Sequence, residues 1–122
     1  MYKVNITIGA SPSKYWASVD FEDKKGVVHQ RRVGADRKAS MQSNYLQALI
    51  DALGILNKPC MLNICSDSEY VTAPFQQGWI QNWEKHEWKN AKGREVRNAD
   101  QWRQIREALA GHSAKFTYLE RR

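Results

Sequence analysis

Residues 64–71, ICSDSEYV, form the stretch of this chain that decides its fold. The apolar run ends at Cys65, an acid follows at Asp67, and a helical turn can begin at Ser68. A buried strand that passes directly into a helix is typical of α/β proteins. An acid at the carboxyl end of such a strand has two interpretations: a metal ligand, or a side chain that caps the next helix.

The segments before this stretch alternate between apolar and polar residues, which is the period of a half-buried β-strand. Three such segments, 2–10, 14–23 and 27–33, follow one another with short connections, and the second connection is the turn KKG at 24–26. Short connections favour antiparallel neighbours. The sequence therefore predicts an antiparallel meander of three strands at the start of the chain.

The period changes to that of a helix at Ser40, which is a candidate N-cap. Apolar side chains then recur at helical spacing from Met41 to Leu56, and NKP at 57–59 ends the helix. The apolar run 60–65 returns as a buried strand. Because a helix separates two strands of one sheet, this strand is expected to pair in parallel.

After Asp67 the pattern predicts a short helix to about Pro74 and another containing Trp83. A polar stretch, 84–98, has no apolar periodicity and is called the basic segment below. A helix over 98–109, with Asn98 as its N-cap, and a strand over 114–120 complete the chain. The order β-β-β-α-β-α-α-basic segment-α-β predicts one α/β domain over 1–122 with a five-stranded mixed sheet.

The net charge of +6 favours an anionic partner, of which nucleic acid is the commonest. The two cysteines, Cys60 and Cys65, lie on opposite faces of one predicted strand, so a disulfide between them is not expected. No secretory signal and no membrane-length apolar run occur in the sequence. A cytoplasmic protein without a membrane partner is the expectation.

Together these elements and motifs resemble ribonuclease H of type 1. ALIDAL at 48–53 is similar to part of the family's first helix, and SDSEYV at 66–71 to its Thr-Asp-Ser-x-Tyr-Val motif. WIQNWEKHEWK at 79–89 and GREVRNADQW at 93–102 are similar to its basic protrusion and the helix behind it. The resemblance implies the ribonuclease H-like fold, with the fourth and fifth strands parallel and the final helix missing. It also implies hydrolysis of the RNA strand of RNA–DNA hybrids by two Mg²⁺ ions held by four acids.

Three of those four acidic positions are not matched by an acid here. The resemblance places Gly9 at the first position and Tyr45 at the second, while Asp67 matches the third. The fourth follows the last strand on a final helix in the family, and this sequence ends at Arg122. We therefore expect a C-terminally truncated pseudoenzyme with no catalytic residues, no metal and no cofactor, in which Asp67 is a remnant that caps the next helix.

The resemblance also implies contacts to nucleic acid. Ser40 and Asn98 match residues that form a pocket for one DNA phosphate in the family, although each is also a candidate helix N-cap. Trp83 matches one of a group of tryptophans, and for these core packing is the alternative interpretation. The predicted phosphate-binding cations of the basic segment are Lys85, Lys89, Lys92, Arg94 and Arg97.

These residues predict a binding module for the backbone of hybrid or duplex through the basic segment. One alternative is a module that binds or inhibits a protein, such as a phage or mobile-element regulator, with a homodimer also possible at the sheet. A second alternative is a metal-dependent hybrid nuclease that depends on Asp67.

Overall fold

The computed structural model of the chain describes residues 2–120. It contains five strands and four helices in the predicted order. The strands are β1 (Tyr2–Ser11), β2 (Lys14–Glu22), β3 (Val28–Asp36), β4 (Cys60–Ser66) and β5 (Ser113–Tyr118). The helices are α1 (Met41–Leu53), α2 (Glu69–Gln76), α3 (Trp79–Lys85) and α4 (Ala99–Ala108).

The strands form one mixed sheet in the order β3-β2-β1-β4-β5. The first three strands are antiparallel to their neighbours, whereas β4 pairs in parallel with both β1 and β5. The predicted α/β class, the meander and the parallel pairing of the fourth and fifth strands are confirmed. The boundaries that differ most are two: β3 continues to Asp36 because it pairs with the start of β2, and α1 ends at Leu53 rather than Leu56.

The helices pack on one face of the sheet. Alternate residues of each central strand, such as Ile6, Val19 and Ile64, are buried beneath them. Helix α1 contacts β1, β2 and β3, while α2 contacts β4 and β5. The opposite face carries the residues between, and no helix within residues 2–120 covers it. None of the described helices is both long and apolar enough to cross a membrane.

A second layer of the core is aromatic. The indole of Trp102 in α4 is fully buried, with the rings of Tyr70, Phe75 and Trp83 at centroid distances of 5.7, 5.9 and 5.9 Å. Phe75 also stacks on Phe116 of β5 at 4.0 Å. These rings join α2, α3 and α4 to the end of the sheet, and so they fix the base of the basic segment.

Replacing Tyr15 with Phe is expected to reduce the loss of stability at alkaline pH. The Tyr15 hydroxyl donates a hydrogen bond to the Asp51 carboxylate, and this bond, with burial, raises the pKa of Tyr15 above its ordinary value of 10.0. The folded chain therefore retains a proton that the unfolded chain releases near pH 10. The stabilisation is complete below pH 10 and is lost as the pH rises through the folded pKa.

Urea unfolding of wild type and Tyr15→Phe between pH 7 and pH 11 measures this difference. The thiols of Cys60 and Cys65 have raised pKa values because of burial, and they contribute a loss of the same sign that both proteins share. Tyr118→Phe, at an exposed tyrosine, is the matched control and should keep the wild-type decline. Equal declines in wild type and Tyr15→Phe would show that Tyr15 does not cause it.

Candidate functional site

The residue after β4, Asp67, lies against the first helix. The hydroxyl of Tyr45 in α1 donates a hydrogen bond to Asp67 Oδ1 at 2.6 Å. Tyr45 is almost fully buried, with 5% of its surface exposed, because α1 presses this face against the sheet. Two positions that the family resemblance assigned to the acidic site, 45 and 67, are therefore in direct contact.

Gly9, the other matched position, lies beside Tyr45 and Asp67 near the end of β1. Ile8 of β1 is the parallel partner of Ser66 of β4. The next residues along, Gly9 and Asp67, are therefore neighbours at the carboxyl ends of these two strands, a place called the Asp67 edge below. The carboxyl ends of parallel strands are where α/β proteins place their sites. The structure thus brings Gly9, Tyr45 and Asp67 together.

The expectation that Asp67 caps the following helix stays a prediction. The N-cap of α2 is Ser68, whose own side chain makes no capping hydrogen bond. The backbone N–H of Ser68 instead donates to Ser66 Oγ at 3.0 Å. One oxygen of the Asp67 carboxylate accepts the phenol of Tyr45, so this side chain contacts α1.

The described residues do not fit a two-metal centre. Within 2–120 there is no group of three or more His, Cys, Asp or Glu side chains that could hold a metal ion. The donors at the Asp67 edge among these residues are one carboxylate and one phenol, and a tyrosine hydroxyl is a poor ligand for Mg²⁺, which prefers carboxylate, carbonyl and water oxygens. No reaction step through a metal follows from these residues.

The basic segment is a short hairpin-like excursion anchored at its base. A bridge pairs Lys89 with Glu95, and the turn between them closes with Gly93 N–H donating to Asn90 O at 2.9 Å. Trp88 is buried at 9% exposure, and its backbone N–H donates to Trp83 O. The segment is therefore held firmly where it leaves the core, and its tip faces solvent.

The five predicted cations of this segment are all exposed, and none takes part in an ion pair within residues 2–120. One of the three acids, Glu84, pairs with Arg106 at 2.7 Å, which removes it as an internal partner for the lysines. The cations are Lys85, Lys89, Lys92, Arg94 and Arg97. The basic segment thus presents positive charge that is available to an anion.

Trp83, a predicted binding residue, lies within an aromatic chain. Its ring is 6.4 Å from those of both Trp79 and Trp88, and 5.9 Å from that of Trp102. It is half-buried against the core. Packing at the base of the basic segment is therefore what its contacts show, and a contact with nucleic acid stays a prediction.

Ser40 and Asn98 begin the two helices that lie side by side. Ser40 caps α1, because its Oγ accepts the Ser43 N–H at 3.1 Å. Asn98 precedes α4 but its side chain caps nothing. It has a φ of 59°, and its Nδ2 donates to the Tyr70 hydroxyl at 3.1 Å, so the predicted side-chain cap is wrong.

The first turns of α1 and α4 are joined by residues that sequence reasoning did not select. Ser43 Oγ donates to Gln101 Oε1 at 2.8 Å, and Gln101 Nε2 donates to Ser43 O at 3.0 Å. Arg37 Nη1 adds a hydrogen bond to Ser43 Oγ at 3.0 Å. Ser43 and Gln101 each lie three residues after a helix start, and only the packing of the two helices relates them.

Comparison with known proteins identifies the family. The model of the family described as RNase H matches residues 9–120. The chain belongs to the RNase H family. The Ribonuclease H of Lachnoclostridium phytofermentans is 33% identical over 110 residues, covering 89% of this chain and 70% of that protein. The Ribonuclease H of Clostridium botulinum is 41% identical over 71 residues, covering 58% of this chain and 48% of that protein.

Solved structures show the same fold. A type 1 RNase H with the type 2 active-site motif superposes with a TM-score of 0.82 at 17% identity, over 98% of this chain and 64% of that one. Another RNase H, solved in complex with an RNA/DNA hybrid, gives a TM-score of 0.60 at 16% identity, over 99% and 86%. The ribonuclease H-like fold inferred from the motifs is confirmed.

The prediction of a catalytically inactive pseudoenzyme that acts only by binding is wrong. A relative whose alignment covers 89% of this chain is named Ribonuclease H. Membership of the RNase H family therefore points to a nuclease. The prediction depended on counting carboxylates at four matched positions. Such a count does not measure transition-state stabilisation, to which positioning and other charged or polar groups also contribute.

Proposed function

We propose that this chain binds RNA–DNA hybrid and acts on it as a nuclease of the RNase H family. The observation that carries the proposal is the 33% identity over 110 residues to a protein named Ribonuclease H. Asp67, at the end of β4 and in contact with Tyr45, is the acid that we assign to the reacting edge. A fold neighbour solved with an RNA/DNA hybrid supports hybrid as the substrate class.

The test is a cleavage assay with labelled RNA–DNA hybrid in buffers containing Mg²⁺ or Mn²⁺. We expect shortening of the RNA strand and no cleavage of duplex DNA of the same sequence. A chain that leaves the hybrid intact with both ions, while it is folded by circular dichroism, would overturn the proposal.

The helix starts at Ser40 and Asn98 are suited to a phosphate of the bound nucleic acid. Helix N-termini direct free backbone N–H groups and a partial positive charge outward. The Ser43–Gln101 hydrogen bonds hold the first turns of α1 and α4 together, so the two helix starts offer one shared site. We assign Ser40 and Asn98 to this phosphate contact in addition to their local hydrogen bonds.

The basic segment is proposed to contact the nucleic-acid backbone with its five exposed cations. Such contacts release counterions, so affinity falls with salt, by a slope of about −0.9 for each phosphate neutralised on a B-form duplex. If all five cations contact phosphates, the slope of log K against log salt is about −4.5. The contacts carry no base-sequence information, so hybrids of different sequence should bind alike.

Reversing the charge at Lys92 and Arg94 together is expected to weaken hybrid binding about 10- to 100-fold at low salt and to reduce the salt slope by about 2. Both side chains flank the turn at Gly93 and are exposed, so the fold should not change. Fluorescence anisotropy in EDTA at several salt concentrations measures affinity without cleavage.

The matched control is Lys24→Glu with Lys25→Glu. This pair also lies on an exposed turn before a glycine, between β2 and β3, and it changes the net charge by the same amount. If both double variants lose affinity equally, net charge and not the basic segment governs binding.

A protein partner or a homodimer, and a cytoplasmic location, stay predictions. The observation that favours a partner at the sheet edge is the exposure of Val28 on the edge strand β3, at 69%. An unpaired edge strand with apolar side chains can add a strand from another chain.

A further inference from the structure

Trp16 stands out on the sheet face that the described helices leave uncovered. Its neighbours in β2, Tyr15 and Ala17, are buried beneath α1, so Trp16 points to the opposite face. The alternation of the strand predicts a polar residue at this position. Instead the largest side chain of all is present, and 47% of its surface is exposed.

Glycines flank Trp16 on both neighbouring strands. In the antiparallel registers, Gly9 of β1 and Gly34 of β3 are its direct partners. A Cβ placed on Gly9 would clash with the Nε1 and Cε2 atoms of the indole. The indole therefore lies flat over Gly9, in the space that any side chain at that position would need.

This places the indole on the uncovered face at the same end of the sheet as Asp67, whose carboxylate turns to Tyr45 of α1. Strands in a sheet are about 4.8 Å apart, so Trp16 and Asp67, two strands from each other in one row, have Cα atoms about 10 Å apart. The indole covers the first of these two steps because it extends over Gly9. A nucleic acid that is held at this end of the sheet and extends over the uncovered face would meet the aromatic ring.

The surroundings of the indole suit a nucleotide. Lys14 Nζ lies 5.8 Å from the ring centroid. It is close enough to attract the phosphate of a nucleotide whose base stacks on the ring. A shallow depression of about 480 Å³ adjoins the ring, lined by Lys14, Trp16, Gly34 and Asp36 among others. Exposed aromatic rings beside cations are how proteins hold unpaired bases.

We propose that Trp16 stacks on an unpaired nucleotide adjoining the hybrid at the Asp67 edge. The ligand is a single-stranded nucleotide, because the bases within a duplex have their faces covered by their neighbours. This inference rests on the proposed function, since it assumes that nucleic acid binds at this edge. It gives Gly9 a role of its own: the absence of a side chain there makes room for the indole.

The experiment compares a blunt RNA–DNA hybrid with the same hybrid carrying a short single-stranded extension at either end. Affinities are measured in EDTA for wild type, Trp16→Ala and Trp16→Phe. We expect the extension to strengthen wild-type binding and Trp16→Ala to weaken binding of the extended probe about 5- to 150-fold. Binding of the blunt hybrid should change less than about twofold, and Trp16→Phe should keep part of the gain because it keeps an aromatic face.

Met61→Ala is the matched control. Met61 is equally exposed, at 47%, on the same sheet face, but it lies near the start of β4, far from Asp67. Its replacement should leave both affinities unchanged. Circular dichroism verifies that each variant is folded, and Trp16→Leu replaces Trp16→Ala if the alanine variant is not.

The outcomes separate the two proposals. A wild-type chain that binds neither probe overturns both the hybrid-binding proposal and the role of Trp16. A chain that binds the blunt hybrid but gains nothing from the extension overturns the role of Trp16 alone. Equal losses on both probes in Trp16→Ala also overturn it, because they indicate a structural effect on the sheet.

Discussion

An Asp67→Asn variant is expected to bind hybrid as wild type does and to lose cleavage by about 10²- to 10⁴-fold, the usual contribution of a side chain that takes or gives a proton during a reaction. Asn has nearly the same size as Asp, and its amide oxygen can still accept the Tyr45 hydrogen bond. The change therefore removes the negative charge and the proton-accepting group while it keeps the local packing.

Initial rates of hybrid cleavage and affinity in EDTA, measured on the same preparations, separate the chemical step from binding. Glu107→Gln is the control, since it removes an exposed carboxylate of α4 far along the helix from Asn98. Cleavage by Asp67→Asn at the wild-type rate would show that the reacting edge lies elsewhere. A parallel loss of affinity would assign Asp67 to binding.

Trp102→Ala is expected to lower the free energy of unfolding by about 3–5 kcal/mol, the largest stability effect of any single truncation that we anticipate. The indole is fully buried, and the rings of Tyr70, Phe75 and Trp83 surround it. Its removal leaves a cavity where α2, α3 and α4 meet. Urea unfolding, with the midpoint and slope fitted separately, measures the change.

Two companion variants sharpen this prediction. Trp102 Nε1 is buried without a hydrogen-bond acceptor within residues 2–120, so Trp102→Phe loses volume but also removes an unsatisfied donor. We expect it to cost clearly less than the alanine variant. Trp79→Ala deletes the same side chain where 46% is exposed, and it should also cost less. Similar losses at Trp79 and Trp102 would contradict the assignment of the aromatic core to Trp102.

The sequence was sufficient to predict which segments are strands and which are helices, because that choice depends on local periodicity. Alternation in 2–10 and 14–23 and helical spacing from Met41 are properties of neighbouring residues, and the structure confirms them as strands and a helix. The crossover helix between β1–β3 and β4 requires a parallel pairing for steric reasons, and that pairing is present. Ordered motifs, including SDSEYV, were sufficient for the family.

Local patterns were not sufficient for the site, because its contacts join residues far apart in the chain. The Tyr45–Asp67 hydrogen bond spans 22 residues and the Asn98–Tyr70 bond spans 28, and the latter replaces the side-chain cap expected of Asn98. A side chain takes the best partner that packing supplies, and a local rule cannot include partners from other elements.

The sequence by itself determined that this chain is an α/β protein of the RNase H family with a basic segment at 84–98, since periodicity, motif order and charge are read directly from the order of the residues. Only the tertiary structure decided which residues lie together at the Asp67 edge. The registers of β1 with β2 and β4 place Trp16, Gly9 and Asp67 in one row, and α1 adds the Tyr45 hydroxyl. Register is set by the packing of whole strands, and a shift of one residue would turn the Trp16 side chain to the other face.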